Sequence, residues 1–213
     1  MYKAIIFDMD GVIIDSEPLW EKSEKILLNS FGLSYNPVYR DKILGLNQND
    51  SANLLRDTFN LDKTLDEIID ERLKILLRLY KDELKLINGI ENLIIDSHDY
   101  KLKVGLASSS PMKIINFVLN KFGLNKYFDA VISGECTENG KPHPDIYLEA
   151  SKQLEVTPSE CIAVEDSING TISAKNAGMY CIAVPDPRLN IKDYQKADLI
   201  VKSLTAIKIA ELI

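Results

Sequence analysis

The placement of short β-branched runs constrains this chain more than any other feature. Tyr2-Lys3-Ala4-Ile5-Ile6-Phe7 is such a run, and it ends abruptly at an aspartate. Runs of the same kind return only after a long gap, at Leu102–Ala107, Ala130–Ser133, Cys161–Glu165, Tyr180–Val184 and, more weakly, Leu199–Val201. Continuous apolar runs suit strands buried on both faces, as parallel sheets require. Helical patterns over Pro111–Phe122, Pro144–Leu154 and Ile168–Ala177 lie between the later runs. Pro111 and Pro144 read as first helical residues, where a missing N–H costs nothing. Strand–helix alternation with short connections predicts a doubly wound α/β core on a parallel sheet.

The gap itself has a different character. Glu17–Ser30 carries Leu19, Trp20, Ile26 and Leu27 at helical spacing. Asp50–Phe59 and Leu65–Leu84 continue the pattern, the latter with Ile68, Ile69, Leu73, Leu76, Leu77, Leu79 and Tyr80. Loops at Gly32–Pro37 and Gly45–Asn49 separate these helices. Residues 1–15 and 87–213 are therefore expected to form the core, and 16–86 a helical insert joined near Ile14–Ser16 and Ile87–Gly89.

Composition excludes several function classes. With 46% hydrophobic and 27% charged residues in 213, the chain is globular rather than disordered. The longest apolar run, Met179–Val184, is far short of the ~20 residues of a membrane span. Asp8, Asp10 and Asp15 near the N-terminus argue against a targeting peptide, so a cytoplasmic protein is expected. Cys136, Cys161 and Cys181 show no C-x-x-C spacing and read as reduced thiols. Twenty-five Lys+Arg against 32 Asp+Glu give a formal charge of −7, which attracts neither nucleic acid nor an anionic membrane. An anionic substrate needs a locally assembled positive site.

Four features supply such a site, and each also has a plainer reading. Asp8-Met9-Asp10-Gly11 places two carboxylates after the first strand, where open α/β sheets bind ligands; the same residues also make an ordinary turn. Ser108-Ser109-Ser110-Pro111 offers hydroxyls and helix-start N–H groups to an anion, or simply a helix cap. Lys141 lies in the proline-braced Gly140-Lys141-Pro142-His143-Pro144, which is not a P-loop; His143 reads as structural and His98 as surface. Glu165-Asp166 closes another strand before a helix, and such hard oxygen donors suit Mg²⁺, although Asp166 or Ser167 could instead cap that helix. All four sit at strand C-termini, so a parallel sheet gathers them at one edge. Carboxylates for a metal, with a lysine and serines for phosphate, form the kit of metal-assisted phosphoryl transfer.

In these residues the chain resembles the haloacid dehalogenase superfamily. Asp8-Met9-Asp10-Gly11-Val12, Ser108, Lys141 and Glu165-Asp166 match its four motifs. Asp15-Ser16-Glu17-Pro18-Leu19-Trp20, Gly140–Asp145 and Glu165–Gly170 resemble the β-phosphoglucomutase-like and sugar-phosphate-phosphatase branch. The resemblance spans nearly the whole chain and implies a Rossmann-like core with a helical cap inserted after the first strand. It further implies Asp8 as nucleophile and Mg²⁺ ligand, and Asp10 as acid/base with its backbone carbonyl on the metal. Ser108, the Ser109 backbone and Lys141 would hold the phosphoryl group. Asp166 would bind Mg²⁺ directly, and Glu165 directly or through water.

The family divides between phosphatases and mutases. Mutases resembling this chain carry a cap histidine where Trp20 stands and a cap arginine where Gln48 stands, with no Lys or Arg between Lys42 and Arg56 here. Both departures favour hydrolysis of a small phosphorylated metabolite, with a sugar phosphomutase as the alternative; a monomer is expected. A receiver-type signalling domain would be shorter, lack the insert and carry its phospho-accepting Asp on a later strand. Nothing in the sequence names the phosphomonoester.

Overall fold

A computed structural model describes residues 1–36, 48–186 and 194–213. In chain order its main elements are β1 (Ala4–Phe7), α1 (Glu17–Ser30), α2 (Gln48–Phe59), α3 (Leu65–Glu83), α4 (Ile90–Asp99), β2 (Lys103–Ser108), α5 (Met112–Phe122), β3 (Ala130–Ser133), α6 (Asp145–Gln153), β4 (Cys161–Glu165), α7 (Ile168–Asn176), β5 (Tyr180–Ala183) and β6 (Leu199–Ile200). The strands form one six-stranded sheet in the order β3-β2-β1-β4-β5-β6, with every pairing parallel. A Rossmann-like α/β core with a central first strand results.

Register decides what meets at the sheet edge. Phe7 pairs with Leu106 on one side and Val164 on the other. The next residues, Asp8, Ala107 and Glu165, therefore form one row at the C-terminal edge. Side chains alternate along each strand, so Ala4 and Ile6 join one face with Ala163, Cys181, Ile146, Tyr147 and Ala174. Helices α6 and α7 cover that face, α6 over β1 to β3 and α7 over β4 and β5. Ile5 and Phe7 are equally buried and take the opposite side of the pleat.

The chain divides into two compact units, Met1–Asp15 with Leu86–Ile213, and Ser16–Lys85. In the second unit α3 packs against both α1 and α2 around Leu27, Leu28, Ala52, Leu55, Leu61 and Ile68. Thr64 starts α3 with a reciprocal cap: its hydroxyl accepts from the Glu67 N–H while the Glu67 carboxylate accepts from the Thr64 N–H.

Several elements differ from the sequence reading. Helix α4 is not anticipated by it, although Ile90, Leu93, Ile94 and Ser97 form a buried helical face. Pro111 and Pro144 stand just before their helices rather than inside them. Pro111 is extended (ψ 146°), and its carbonyl accepts the first helical hydrogen bonds from Ile114 and Ile115. Gln48 and Asn49 belong to α2 instead of a loop, while Pro37 and Gly45–Asn47 lie outside the described residues. His98 is half-buried, with Nε2 2.9 Å from the Tyr127 carbonyl. Cys161 and Cys181 are buried free thiols whose burial pushes them up to about 12, and Cys136 is exposed and free. Among the described residues no helix is long and apolar enough to cross a membrane.

Candidate active site

Three strand ends and one loop converge on Lys141. Its Nζ donates to Asp8 Oδ1 and to Glu165 Oε1, both at 2.6 Å, and to the Ala107 carbonyl at 3.3 Å. These partners are the row set by the register of β1, β2 and β4. The Lys141 side chain is 7% exposed and that of Glu165 is fully buried, so neither charge is left to solvent. Helix α7 braces the lysine loop: Ser173 donates to the His143 carbonyl and Asn176 to the Pro142 carbonyl at 3.1 Å.

The carboxylates are held as tightly as the lysine. Glu165 Oε1 also accepts from the Tyr147 hydroxyl at 2.7 Å, and Oε2 from the Ser167 N–H and hydroxyl at 3.3 and 3.1 Å. Gly170 makes room for this carboxylate, since a Cβ there would stand 2.0 Å from it. Gly11 does the same for Asp166, whose Oδ2 would lie 2.0 Å from a Cβ, and its φ of +80° is a second reason for glycine. Tyr194 donates to the Asp166 carbonyl. Asp10 Oδ2 accepts from Ser110 Oγ at 2.8 Å and Ser108 Oγ at 3.5 Å, and the Ser110 N–H donates to Ser108 Oγ at 3.1 Å.

Charge is not balanced here. Four carboxylates, Asp8, Asp10, Glu165 and Asp166, face one ammonium. Burial pushes the Asp8 carboxyl up to about 7; Lys141 opposes the shift, while Glu165 and Asp10 add to it. Burial likewise raises Asp166 well above the usual range, reinforced by Asp8 and Glu165. For Lys141 burial alone would lower the ammonium's pKa, but Asp8 and Glu165 reverse the sign and raise it. A divalent cation would offset the excess. One oxygen each from Asp8, Glu165 and Asp166 lies within 4.8 Å of the others, and an all-oxygen donor set of this kind fits Mg²⁺.

The structure thus brings together Asp8, Lys141, Glu165 and Asp166, with Asp10 and Ser108 beside them, while Ser109 is exposed at the end of β2. Sequence reasoning did not single out Ser110 or Tyr147. Ser110 was visible only as one of three consecutive hydroxyls. Tyr147 falls on the inward face of a predicted helix, where an aromatic reads as packing.

The chain is similar to known proteins along most of its length. The haloacid dehalogenase-like hydrolase family matches residues 5–184. Hexitol phosphatase B of Escherichia coli (strain K12) is 35% identical over 99% of this chain and 96% of its own. A phosphorylated carbohydrates phosphatase of Thermotoga maritima is 30% identical over 83% of this chain and 82% of its own. Among solved structures, β-phosphoglucomutase from Clostridium difficile superposes with a TM-score of 0.85 at 28% identity, covering 100% of this chain and 96% of that one. The chain belongs to the haloacid dehalogenase-like hydrolases. It is an enzyme of that family, and its structural neighbours include β-phosphoglucomutases.

Proposed function

We propose that the protein hydrolyses a small phosphomonoester of the sugar-phosphate class by transferring the phosphoryl group to Asp8. The observation that carries this reading is the Lys141 ammonium clamped at 2.6 Å between Asp8 and Glu165, beside Asp166, on the C-terminal edge of the sheet. The two phosphatases above, similar along most of their length, support the substrate class.

In this reading Asp8 attacks phosphorus and the leaving oxygen takes a proton from Asp10. Water then attacks the aspartyl phosphate, and Asp10 takes the proton back. Ser110 orients the Asp10 carboxyl for both transfers. Lys141, Ser108 and the Ser109 backbone hold the phosphoryl oxygens. Asp8, Glu165 and Asp166, with the Asp10 backbone carbonyl, would hold Mg²⁺, which supplies positive charge against the phosphoryl group. Chemistry belongs to residues 1–15 and 87–213, and choice of leaving group to the insert, 16–86.

The mutase reading needs a cation in the insert for a second phosphate. Arg72 stands over the Trp20 ring, 5.1 Å from its centroid, but it is only 2% exposed. Its guanidinium donates to Ser51 Oγ at 2.9 Å and the Gln48 carbonyl at 3.4 Å. A guanidinium spent on its own helices favours hydrolysis.

The test is phosphate release from a panel of sugar, hexitol and nucleoside monophosphates. Release with Mg²⁺, its loss in EDTA and its return with added Mg²⁺ are expected. Release from no monophosphate, or full turnover after exhaustive chelation, would contradict the proposal.

A further inference from the structure

We infer that Tyr147 is a positioning residue of this site, fixing Glu165 and through it the Lys141 ammonium. The inference rests on the proposed reading, in which Lys141 binds the phosphoryl group.

Tyr147 lies on α6, outside every motif named above, and is fully buried. It touches both members of the ion pair by different parts of its side chain. The hydroxyl donates to Glu165 Oε1 at 2.7 Å, and the ring lies under Lys141 Nζ, 5.2 Å from the centroid. Lys141 donates to that same Oε1 at 2.6 Å. With Ser167 supplying two donors to Oε2, the carboxylate accepts four hydrogen bonds. Rotation of Glu165 would break several of these bonds in a site that offers few alternatives.

Lys141 needs such an anchor because a lysine stem is flexible and has many rotamers to lose. Asp8 is its other anchor, and Asp8 is the group the reaction alters. Once its oxygen is bonded to phosphorus, Asp8 no longer offers a full carboxylate charge to the ammonium. Glu165 forms no bond to phosphorus and keeps its place through both half-reactions, held there by Tyr147. Effective catalysis tolerates little misplacement of a charged group, on the order of 0.5 Å.

The experiment measures the dissociation constant of inorganic phosphate by calorimetry on the Mg²⁺-loaded protein, alongside kcat and KM for an aryl phosphate. Tyr147→Phe keeps the ring and removes only the hydroxyl. Phosphate should bind about 10- to 100-fold more weakly, the range expected for losing a hydrogen bond to a charged group, with the melting temperature nearly unchanged. Ser167→Ala, which removes the hydroxyl donor to the other oxygen and leaves the backbone one, should weaken phosphate in the same direction and serves if Tyr147→Phe does not fold. In a Glu165→Gln background Tyr147→Phe should cost less than about 2-fold, because its action passes through that carboxylate. Wild-type phosphate affinity in Tyr147→Phe, or an equal loss with and without Glu165, overturns the inference. The underlying reading fails separately, if Lys141→Ala binds phosphate as well as the wild type.

Discussion

The two units of this molecule each bury a cation against a carboxylate, and they do it in opposite ways. In the core unit Lys141 meets Asp8 and Glu165 at 2.6 Å each, with two further carboxylates nearby. In the insert Arg72 stands 3.9 Å from Glu24, both almost fully buried, and the guanidinium is shared among Glu24 on α1, Ser51 Oγ and the Gln48 carbonyl on α2, and the Trp20 ring. A planar fork of donors ties three helices together, whereas a compact ammonium concentrates its charge at one point. Burial pushes Asp8 and Glu24 alike up to about 7. A displaced carboxyl pKa is therefore no mark of an active site in this chain. What sets the core cluster apart is its excess of negative charge at a sheet edge, which a cation and a phosphoryl group can neutralise.

The sharpest break in this comparison comes from removing the nucleophile. Asp8→Asn should lower kcat by on the order of 10⁴-fold or more while circular dichroism and melting stay close to wild type, and Glu24→Gln should change kcat only a few-fold. Comparable losses from the two would erase the distinction. In kcat/KM, which reports the phosphorylation step, Asp10→Asn should cost roughly 10²- to 10⁴-fold on an alkyl phosphate and less on an activated aryl phosphate, whose leaving group departs without a proton. Equal losses on both substrates would remove Asp10 from the acid role.

A smaller effect is expected in the insert. Substituting Trp20 or Gln48 should re-rank sugar phosphates by about 10-fold in kcat/KM while aryl phosphate turnover persists, since the proposed function assigns choice of leaving group to the insert. Loss of all turnover with unchanged ranking would show that they do not. The smallest effect concerns stability. Folded Glu24 keeps its proton to higher pH than a free glutamate, so the folded state binds more protons between 4.5 and about 7. Wild-type stability therefore falls as pH rises through that window, and Glu24→Gln lacks this contribution. The melting temperature of the variant, less that of the wild type, should become more positive between about pH 5 and pH 8. A flat difference would place the Glu24 ionisation elsewhere.

Legibility in the sequence follows the range of the interactions. Strand ends were readable because β-branched runs stop at polar residues, and with them came Asp8, Ser108, Glu165 and Asp166. The strand order was not, since the partners of β1 are β2 and β4, about 100 and 160 residues away, and pattern carries no register at that range. Helix α4 escaped because its buried face holds only Ile90, Leu93, Ile94 and Ser97 before the polar His98-Asp99. Ser110 and Tyr147 take their meaning from partners 100 and 18 residues distant, and nothing local distinguishes the first from a helix-start serine or the second from a packing aromatic.

The central claim, that Asp8 carries the phosphoryl group, has a direct chemical test. The Asp10→Asn variant lacks the group that activates water, so with an activated aryl phosphate, whose leaving group needs no proton, phosphorylated enzyme should accumulate during turnover. Acid quench followed by borohydride reduction converts an acyl phosphate to an alcohol, which peptide mass spectrometry locates. The account predicts that the reduced residue is Asp8, in the Phe7–Gly11 turn, and that the signal vanishes in Asp8→Asn. Steady phosphate release with Asp8 recovered unreduced, or the reduced residue found at another aspartate, would contradict it.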